Sequence, residues 1–327
     1  MNIAFAGLRH SHIFVLHGMA QQHPEFQVLG AWEPDEAARA AAEAQGVNCR
    51  YAALEELLAD PAVEAVALGG CFAERGAVAV AALKAGKHVI ADKPLCTCME
   101  ELDAIERLAK QNGRTVSCMF TLRFEPLVCA VRQLVQSGGL GRITNVSFGG
   151  QHPLQLGRRA AWYFEPGKHG GLFNDIAIHG IDALDYAFGL QPVQINAARS
   201  WNMYAAGTTH FQDCGQFMLT AQNGAGVLGD VSYAIPDGVE FALPYYWQFF
   251  VWGTGGMVEF SLGSGRALYY KKGEKEPVTL PLVQPAADYL TDFLRVVNGE
   301  TDAILPMEAV IASTRATLLL QQKADNS

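Results

Sequence analysis

The sequence lacks a surplus of basic residues, a long hydrophobic run and a paired set of cysteines, and each lack excludes something. With a formal net charge of −9, nucleic acid and anionic membrane are not expected partners, although a local basic pocket for a small anion is compatible. No stretch approaches the ~18 apolar residues that a membrane helix needs. The opening Met1–Gly7 run is too short for a secretion signal and meets Arg9 and His10 at once, so a cytoplasmic location is expected. Seven cysteines scattered from Cys49 to Cys214 fit reduced thiols better than a disulfide framework. Cys96 and Cys98 form a C-x-C pair with no second pair at ligand spacing, so no metal site is expected there. Repeats and low-complexity tracts are also missing. What is present is a chain of 327 residues, half of them hydrophobic, with 33 glycines. That composition suits a globular α/β protein, and the length favours two domains.

The first third alternates short apolar runs with helical stretches. Strands are expected at Asn2–Ala6, Gln27–Ala31, Ala62–Leu68, Lys87–Ala91 and Thr115–Met119, with helices between them, among them Glu74–Ala85 and Met99–Gln111. This alternation predicts a doubly wound parallel sheet, whose ligands bind at the carboxyl ends of its strands. The first strand-to-helix turn is where such a sheet meets a dinucleotide's pyrophosphate. Its glycine fingerprint is incomplete: the G-x-G-x-x-G register falls on Gly7, Arg9 and His12. Glu33, 26 residues after Gly7 at the end of the second strand, is placed to accept hydrogen bonds from ribose hydroxyls and to repel a 2′-phosphate, favouring NAD over NADP. A solvated acid in the turn before Pro34 is the plainer alternative.

Two further stretches offer chemistry. Asp92-Lys93-Pro94 follows the fourth strand, and proline holds Lys93 extended at the sheet's carboxyl end, where desolvation could tune it for proton transfer. An exposed loop lysine is the competing reading. Downstream, His169–Asp182 reads H-G-G-L-F-N-D-I-A-I-H-G-I-D. Asn174 or Asp175 could cap the following helix, and Asp175, His179 and Asp182 would share one helix face. An acid and an imidazole there could handle protons or hold a metal. Equally, the histidine could merely satisfy a buried carboxylate.

Taken together, G-K-H-V-I-A-D-K-P (86–94) and G-G-L-F-N-D-I-A-I-H-G-I-D (170–182) resemble the Gfo/Idh/MocA family of nicotinamide-dependent oxidoreductases. L-R-F-E-P (122–126) and G-L-G-R-I (139–143) resemble family segments as well, and the similarity covers essentially the whole chain. Asp92 replaces the usual Glu of an E-K-P motif. The loop carrying Arg9 and His12 departs from the family pattern, as does L-G-G-C-F-A-E-R (68–75), where a T-P-x-x-x-H type sequence is usual. The resemblance implies a Rossmann domain over 1–121 and an α/β domain with a large open, mostly antiparallel sheet over 122–327, whose terminal helix could pack back on the first domain. It puts Lys93, Asp175 and His179 on catalytic positions, and Gly7, Leu8, Arg9, His10, His12, Glu33, Gly69, Gly70, Asp92, Lys93 and Pro94 on the cofactor side.

From Arg123 onward the expected elements are a helix at Glu125–Gln136, a strand at Arg142–Gly149, a loop to Pro166 and a helix at about Ile176–Phe188. Strands near Val193–Trp201, Asp213–Thr220, Gly226–Tyr233, Tyr246–Trp252, Gly256–Ser261 and Ala267–Lys271 follow, then helices at Asp288–Asn298 and Met307–Gln322. One sheet face, with Phe217, Tyr233, Trp247, Phe249 and Trp252 in reach, could pack on a second copy to give a homodimer or homotetramer; ordinary core packing of these rings is the equal alternative. The chain stops at Asp325-Asn326-Ser327, where family members commonly continue to a final short strand.

The expected reaction moves a hydride between NAD and a secondary alcohol of a sugar, polyol or cyclitol, the family's usual substrate class. Lys93 or His179 would take the hydroxyl proton and Asp175 would orient the pair. Arg123, Trp162, His169, Asp175 and His179 are candidate substrate contacts, with Arg158 and Tyr163 nearby. Two other readings are a non-catalytic dinucleotide-binding sensor and a metal-dependent hydrolase or lyase using His10, His12, Asp175 and His179.

Overall fold

The structure is a computed structural model and describes residues 1–239 and 243–327. It divides the chain into two compact units. The first comprises Met1–Met119, Ala160–Gly170 and Asp288–Arg315; the second comprises Phe120–Arg159, Gly171–Ala287 and Ala316–Ser327.

In the first unit, β1 (Asn2–Ala6), β2 (Gln27–Trp32), β3 (Ala65–Leu68), β4 (His88–Ala91) and β5 (Val116–Cys118) form a parallel sheet in the order β2-β1-β3-β4-β5. Strands buried on both faces need apolar residues throughout, and β3 and β4 are buried at every position. Helices α1 (His12–Gln22), α2 (Glu36–Glu43), α3 (Leu54–Ala59), α4 (Phe72–Lys84) and α5 (Met99–Asn112) supply the connections. α5 ends where Gly113 takes the left-handed conformation at φ 59°. α4 begins at Phe72, two residues before the sequence suggests, directly after Cys71.

The second unit holds an eight-stranded sheet in the order β13-β12-β11-β10-β6-β9-β8-β7. Its strands are β6 (Ile143–Pro153), β7 (Pro192–Trp201), β8 (Cys214–Ala221), β9 (Gly226–Ile235), β10 (Gln248–Gly253), β11 (Gly256–Ser261), β12 (Arg266–Lys271) and β13 (Val278–Thr279). Among the described residues of this sheet, only β6 and β9 pair in parallel. β6 runs four residues beyond Gly149, because β9 keeps pairing with it as far as Pro153. Helices α6 (Pro126–Gln136) and α7 (Ile178–Phe188) belong to this unit, while α8 (Tyr289–Val297) belongs to the first. α9 (Met307–Asp325) contributes its first part to one unit and its last part to the other.

Three expectations are corrected. Asn174 and Asp175 do not cap a helix. Both lie inside a single π-type turn, Phe173–Ala177, buried among Phe173, Ile176 and Ala177, and α7 starts only at Ile178. Burial on that turn directs their side chains into the protein rather than back onto a helix terminus. The stretch to Pro166 is not all loop, since Ala161–Phe164 forms a short 3-10 turn with Trp162 and Tyr163 buried. Finally, Phe217, Tyr233, Trp247 and Phe249 are not on the sheet's open face but buried in the core. Strand alternation explains this: on β8 Phe217 points in while Met218 is exposed, and on β10 Phe249 points in while Trp252 is exposed. The open face presents Met218, Leu228, Trp252 and Tyr270 instead.

Candidate functional site

Strand order reverses between β1 and β3, the switch point at which open α/β sheets bind ligands. Gly7 leaves β1 at φ +80°, and a Cβ there would lie 2.5 Å from the Gly70 nitrogen, so only glycine fits. The next amides are used internally. Leu8 N–H donates to Glu33 Oε2 at 2.5 Å, and Arg9 and His10 N–H both donate to the Gly69 carbonyl, at 2.9 and 3.1 Å. Glu33 Oε1 also accepts the Asp35 N–H at 2.9 Å. Burial raises the Glu33 pKa, opposed by the hydrogen bonds from Asp35 and Leu8. Glu33 therefore fastens this turn, a role that its sequence position did not suggest.

A dinucleotide still fits this corner, on altered terms. The tight Gly7–Gly70 approach and the head of α1 are present. With the amides of residues 8–10 engaged, the diphosphate would fall to the α1 N-terminus and to the side chains of Arg9 and His12. Both are accessible: Arg9 reaches Asp35 at 3.4 Å near the surface, and the His12 ring, at the head of α1, is about half exposed.

At the end of β4, Asp92 is fully enclosed. Its Oδ2 accepts from His10 Nδ1 and, at 2.9 Å, from Arg75 Nη2; its Oδ1 lies 3.3 Å from His12 Nδ1. Burial alone would raise the Asp92 pKa, but the charges of His10 and Arg75 and the hydrogen bonds from His10 and His12 hold it well below the usual carboxylate range. Burial drives His10 down to about 4 against the pull of Asp92, so its imidazole is neutral near neutral pH. The Lys93 Nζ lies 5.8 Å from the Phe72 ring centroid.

Phe72 also centres an aromatic group within the first unit. Its ring sits 4.9 Å from Trp162, 5.3 Å from Tyr163 and 5.5 Å from His169. Trp162 Nε1–H donates to the Arg9 carbonyl at 3.2 Å. Trp162 and His169, expected as substrate contacts, are thus buried in this packing, and Arg158 is exposed. The residues that sequence reasoning missed here are Phe72 and Arg75, which lie in the stretch it marked only as a departure.

In the second unit, the phenol of Tyr233 donates to Asp175 Oδ2. The Phe211 ring lies 5.5 Å from that of Tyr233, and the Arg159 guanidinium lies 5.0 Å above it. The His179 ring meets Trp247 edge-on at 5.7 Å. Gly180, next along α7, admits the Phe148 ring of β6, which any Cβ would strike at 2.2 Å. Tyr233 and Trp247 were noticed only as aromatics of the sheet, since nothing in the sequence marks one strand tyrosine as the partner of an acid. Arg123, a candidate substrate contact, is buried in a bidentate pair: Nε donates to Asp182 Oδ2 and Nη2 to Oδ1, both at 2.8 Å. Burial works against its charge, yet Asp182 outweighs this and raises its pKa. Asp182 is thereby separated in role from Asp175 and His179.

Among the described residues, the one group of metal-ligand type is His10, His12 and Asp92, with ligand atoms within 4.8 Å of one another. The hydrolase reading joins these histidines to Asp175 and His179 instead. Asp92 Oδ2 is already bonded to the His10 imidazole and to Arg75, whose charge opposes a divalent cation, while His12 Nδ1 stands 3.3 Å from Oδ1, so the group is a charge-paired set rather than an open coordination site. All seven cysteines are free thiols.

Residues 1–120 match the NAD-binding Rossmann domain of the oxidoreductase family Gfo/Idh/MocA, and residues 128–259 match that family's C-terminal domain. The chain belongs to the Gfo/Idh/MocA family. It is 33% identical over 185 residues to an uncharacterised oxidoreductase of Synechocystis, covering 54% of this chain and 48% of that protein. It is 29% identical over 139 residues to a scyllo-inositol 2-dehydrogenase (NADP(+)) of Bacillus subtilis, covering 42% and 38%. The chain thus spans about half or less of the length of the curated relatives it matches. A solved structure of a provisionally assigned oxidoreductase from Erwinia carotovora atroseptica SCRI1043 superposes with a TM-score of 0.87 at 25% identity, over 99% of this chain and 98% of that one. Among the described residues, no helix is long and apolar enough to cross a membrane.

Proposed function

We propose that this protein is a nicotinamide-dependent dehydrogenase that oxidises a secondary alcohol of a sugar, polyol or cyclitol, or reduces the matching ketone. The observation that carries the reading is Lys93, buried at the carboxyl end of β4 in a unit that matches the family's NAD-binding domain. Gly7, Gly70 and the head of α1 would hold the cofactor, with Arg9 and His12 beside its diphosphate. When bound, the nicotinamide supplies hydride acceptance or donation. The protein handles the proton: Lys93 Nζ or a ring nitrogen of His179 takes it from the substrate hydroxyl and returns it in the reverse direction. Asp175, held by the Tyr233 phenol, orients His179, one turn further along the chain. Trp162 and His169 pack on Phe72 and Arg123 is paired with Asp182, so the reading rests on Lys93, Asp175 and His179 rather than on these three as substrate contacts.

NAD is the cofactor we propose, since Glu33 stands at the end of β2 where its charge disfavours a 2′-phosphate. One observation favours NADP as the second reading: Glu33 is turned onto two backbone amides, while the cationic Arg9 lies beside Asp35 at the same corner. A second copy of the chain covering Met218, Leu228, Trp252 and Tyr270 completes the proposal, and sedimentation velocity tests it. The decisive experiment titrates the protein's fluorescence with NADH and NADPH, then screens NAD(P) reduction against sugars, polyols and cyclitols with Lys93→Ala as control. Saturable quenching with turnover that Lys93→Ala abolishes supports a dehydrogenase. Quenching without turnover of any panel member would favour a dinucleotide sensor.

A further inference from the structure

Arg75 lies in the first two turns of α4, and its side chain is entirely enclosed. A guanidinium is charged at every working pH and carries five N–H donors in a rigid fork, so enclosing one demands partners for nearly all of them. Here Nε donates to the Gly70 carbonyl at 2.9 Å and Nη2 to Asp92 Oδ2 at 2.9 Å. Nη1 donates to the carbonyls of Asp92, Lys93 and Pro94, at 2.8, 2.5 and 3.3 Å. Three consecutive carbonyls of the turn that carries Lys93 are gathered on one nitrogen. Neutralising Asp92 would need the carboxylate contact alone, so the carbonyl contacts do something else: they fix the backbone from which Lys93 projects. Phe72, on the first turn of the same helix, lies beneath both cations, with its ring centroid 4.7 Å from the Arg75 guanidinium carbon and 5.8 Å from Lys93 Nζ. The start of α4 therefore governs both ends of Lys93.

We infer that Arg75 is the positioning residue for Lys93: it clamps Asp92-Lys93-Pro94 to the Gly70 turn, so that the ammonium is presented in one place. The inference rests on the proton-handling role proposed for Lys93. His10 completes the clamp from the other side, holding the carboxylate that Arg75 grips. Lysine at position 75 would keep the charge but not the fork, and could not span three carbonyls and a carboxylate together.

The test uses the full-length protein labelled with [13Cε]-lysine, with the Lys93 signal assigned by Lys93→Arg. In the parent, Lys93 should give one signal displaced by the Phe72 ring current, a displacement that Phe72→Leu removes. In Arg75→Lys that signal should move to the position of a free lysine while NADH affinity, measured by fluorescence, is retained. With whichever panel alcohol is turned over, kcat should fall about a hundredfold at little-changed KM, as expected for a displaced catalytic group. A Lys93 signal left in place in Arg75→Lys, or an unchanged kcat, overturns the inference; should that variant not fold, Arg75→Gln takes its place with the same readouts. The two claims fail separately. Full turnover by Lys93→Ala would sink the proposed function, whereas the NMR arm needs no substrate and still decides whether Arg75 positions Lys93.

Discussion

Around Lys93 the buried ionisable groups answer one another, whereas Asp175 and His179 are each met by an aromatic side chain. In the first unit Asp92 is gripped by Arg75, His10 and His12, a set whose members hold each other's protonation as well as their positions. In the second, a phenol steadies Asp175 and an indole packs against His179. The difference suits a division of labour in which the first unit holds Lys93 in one position through charged and hydrogen-bonded groups and the second sets an acid and an imidazole against aromatic rings.

The largest effect should come from removing the Lys93 amine. Lys93→Ala is expected to lower kcat about a thousandfold, within the usual range for a lost acid–base group, while NADH still quenches the protein's fluorescence. A loss of NADH binding instead would place Lys93 in cofactor recognition and erase the contrast. Next comes the charged pair that the second unit does contain. Breaking the bidentate Arg123–Asp182 contact with Arg123→Met strands a buried carboxylate and should cost about 3–5 kcal/mol in urea unfolding. The kcat/KM of the folded fraction should stay at the parental value. A selective rise in KM would return Arg123 to the substrate.

A third effect depends on pH and belongs to the first unit. Burial lowers both His10 and His88 to about 4 in the folded protein, and His88 Nδ1 accepts the Thr115 N–H at 3.0 Å, which requires a neutral ring. Unfolding raises each to an ordinary value near 6.5, so between about pH 6.5 and 4 the unfolded chain binds more protons. Stability should therefore be fully present above that window and fall as pH drops through it, by up to about 3 kcal/mol for each histidine. His88→Gln should flatten the slope of urea midpoint against pH by roughly half; an unaltered slope would refute the assignment. The smallest effect is expected at Tyr233→Phe, which removes the neutral donor to Asp175. It should cost about 1–2 kcal/mol of stability and lower kcat about tenfold. A larger loss than that of Lys93→Ala would invert the comparison.

The fold was largely legible in the sequence because its signals are local. A short apolar run closed by Gly7, helices that stop at Gly86 and Gly113, and alternating strands from Pro192 to Lys271 are signals that a single chain displays. The family motifs located Lys93, Asp175 and His179 without saying what holds them. Those holders are long-range partners: Arg75 lies 17 residues from Asp92, and Tyr233 lies 58 from Asp175. No periodicity links such pairs. Arg123 is the opposite case, since its position beside a family segment suggests a ligand contact while the partner that matches its charge, Asp182, lies 59 residues on. Glu33 was found at the right strand end, but whether a carboxylate faces solvent or two backbone amides is a matter of burial, which spacing does not encode.

The division of the chain into interleaved segments bears on how the protein is made. The first unit includes Ala160–Gly170 and Asp288–Arg315 as well as the first 119 residues. Tyr289 stands within 3.4 Å of Ser117 on β5, and the Trp162 and His169 rings pack against Phe72. An amino-terminal fragment ending near residue 120 would lack those rings and leave Phe72 without them. On a ribosome adding about 5–20 residues per second, the 196 residues from Met119 to Arg315 take about 10–40 s to arrive, so the first unit is complete only that long after the last strand of its parallel sheet. Completion of the nucleotide-binding half is thus timed by the carboxyl end of the chain.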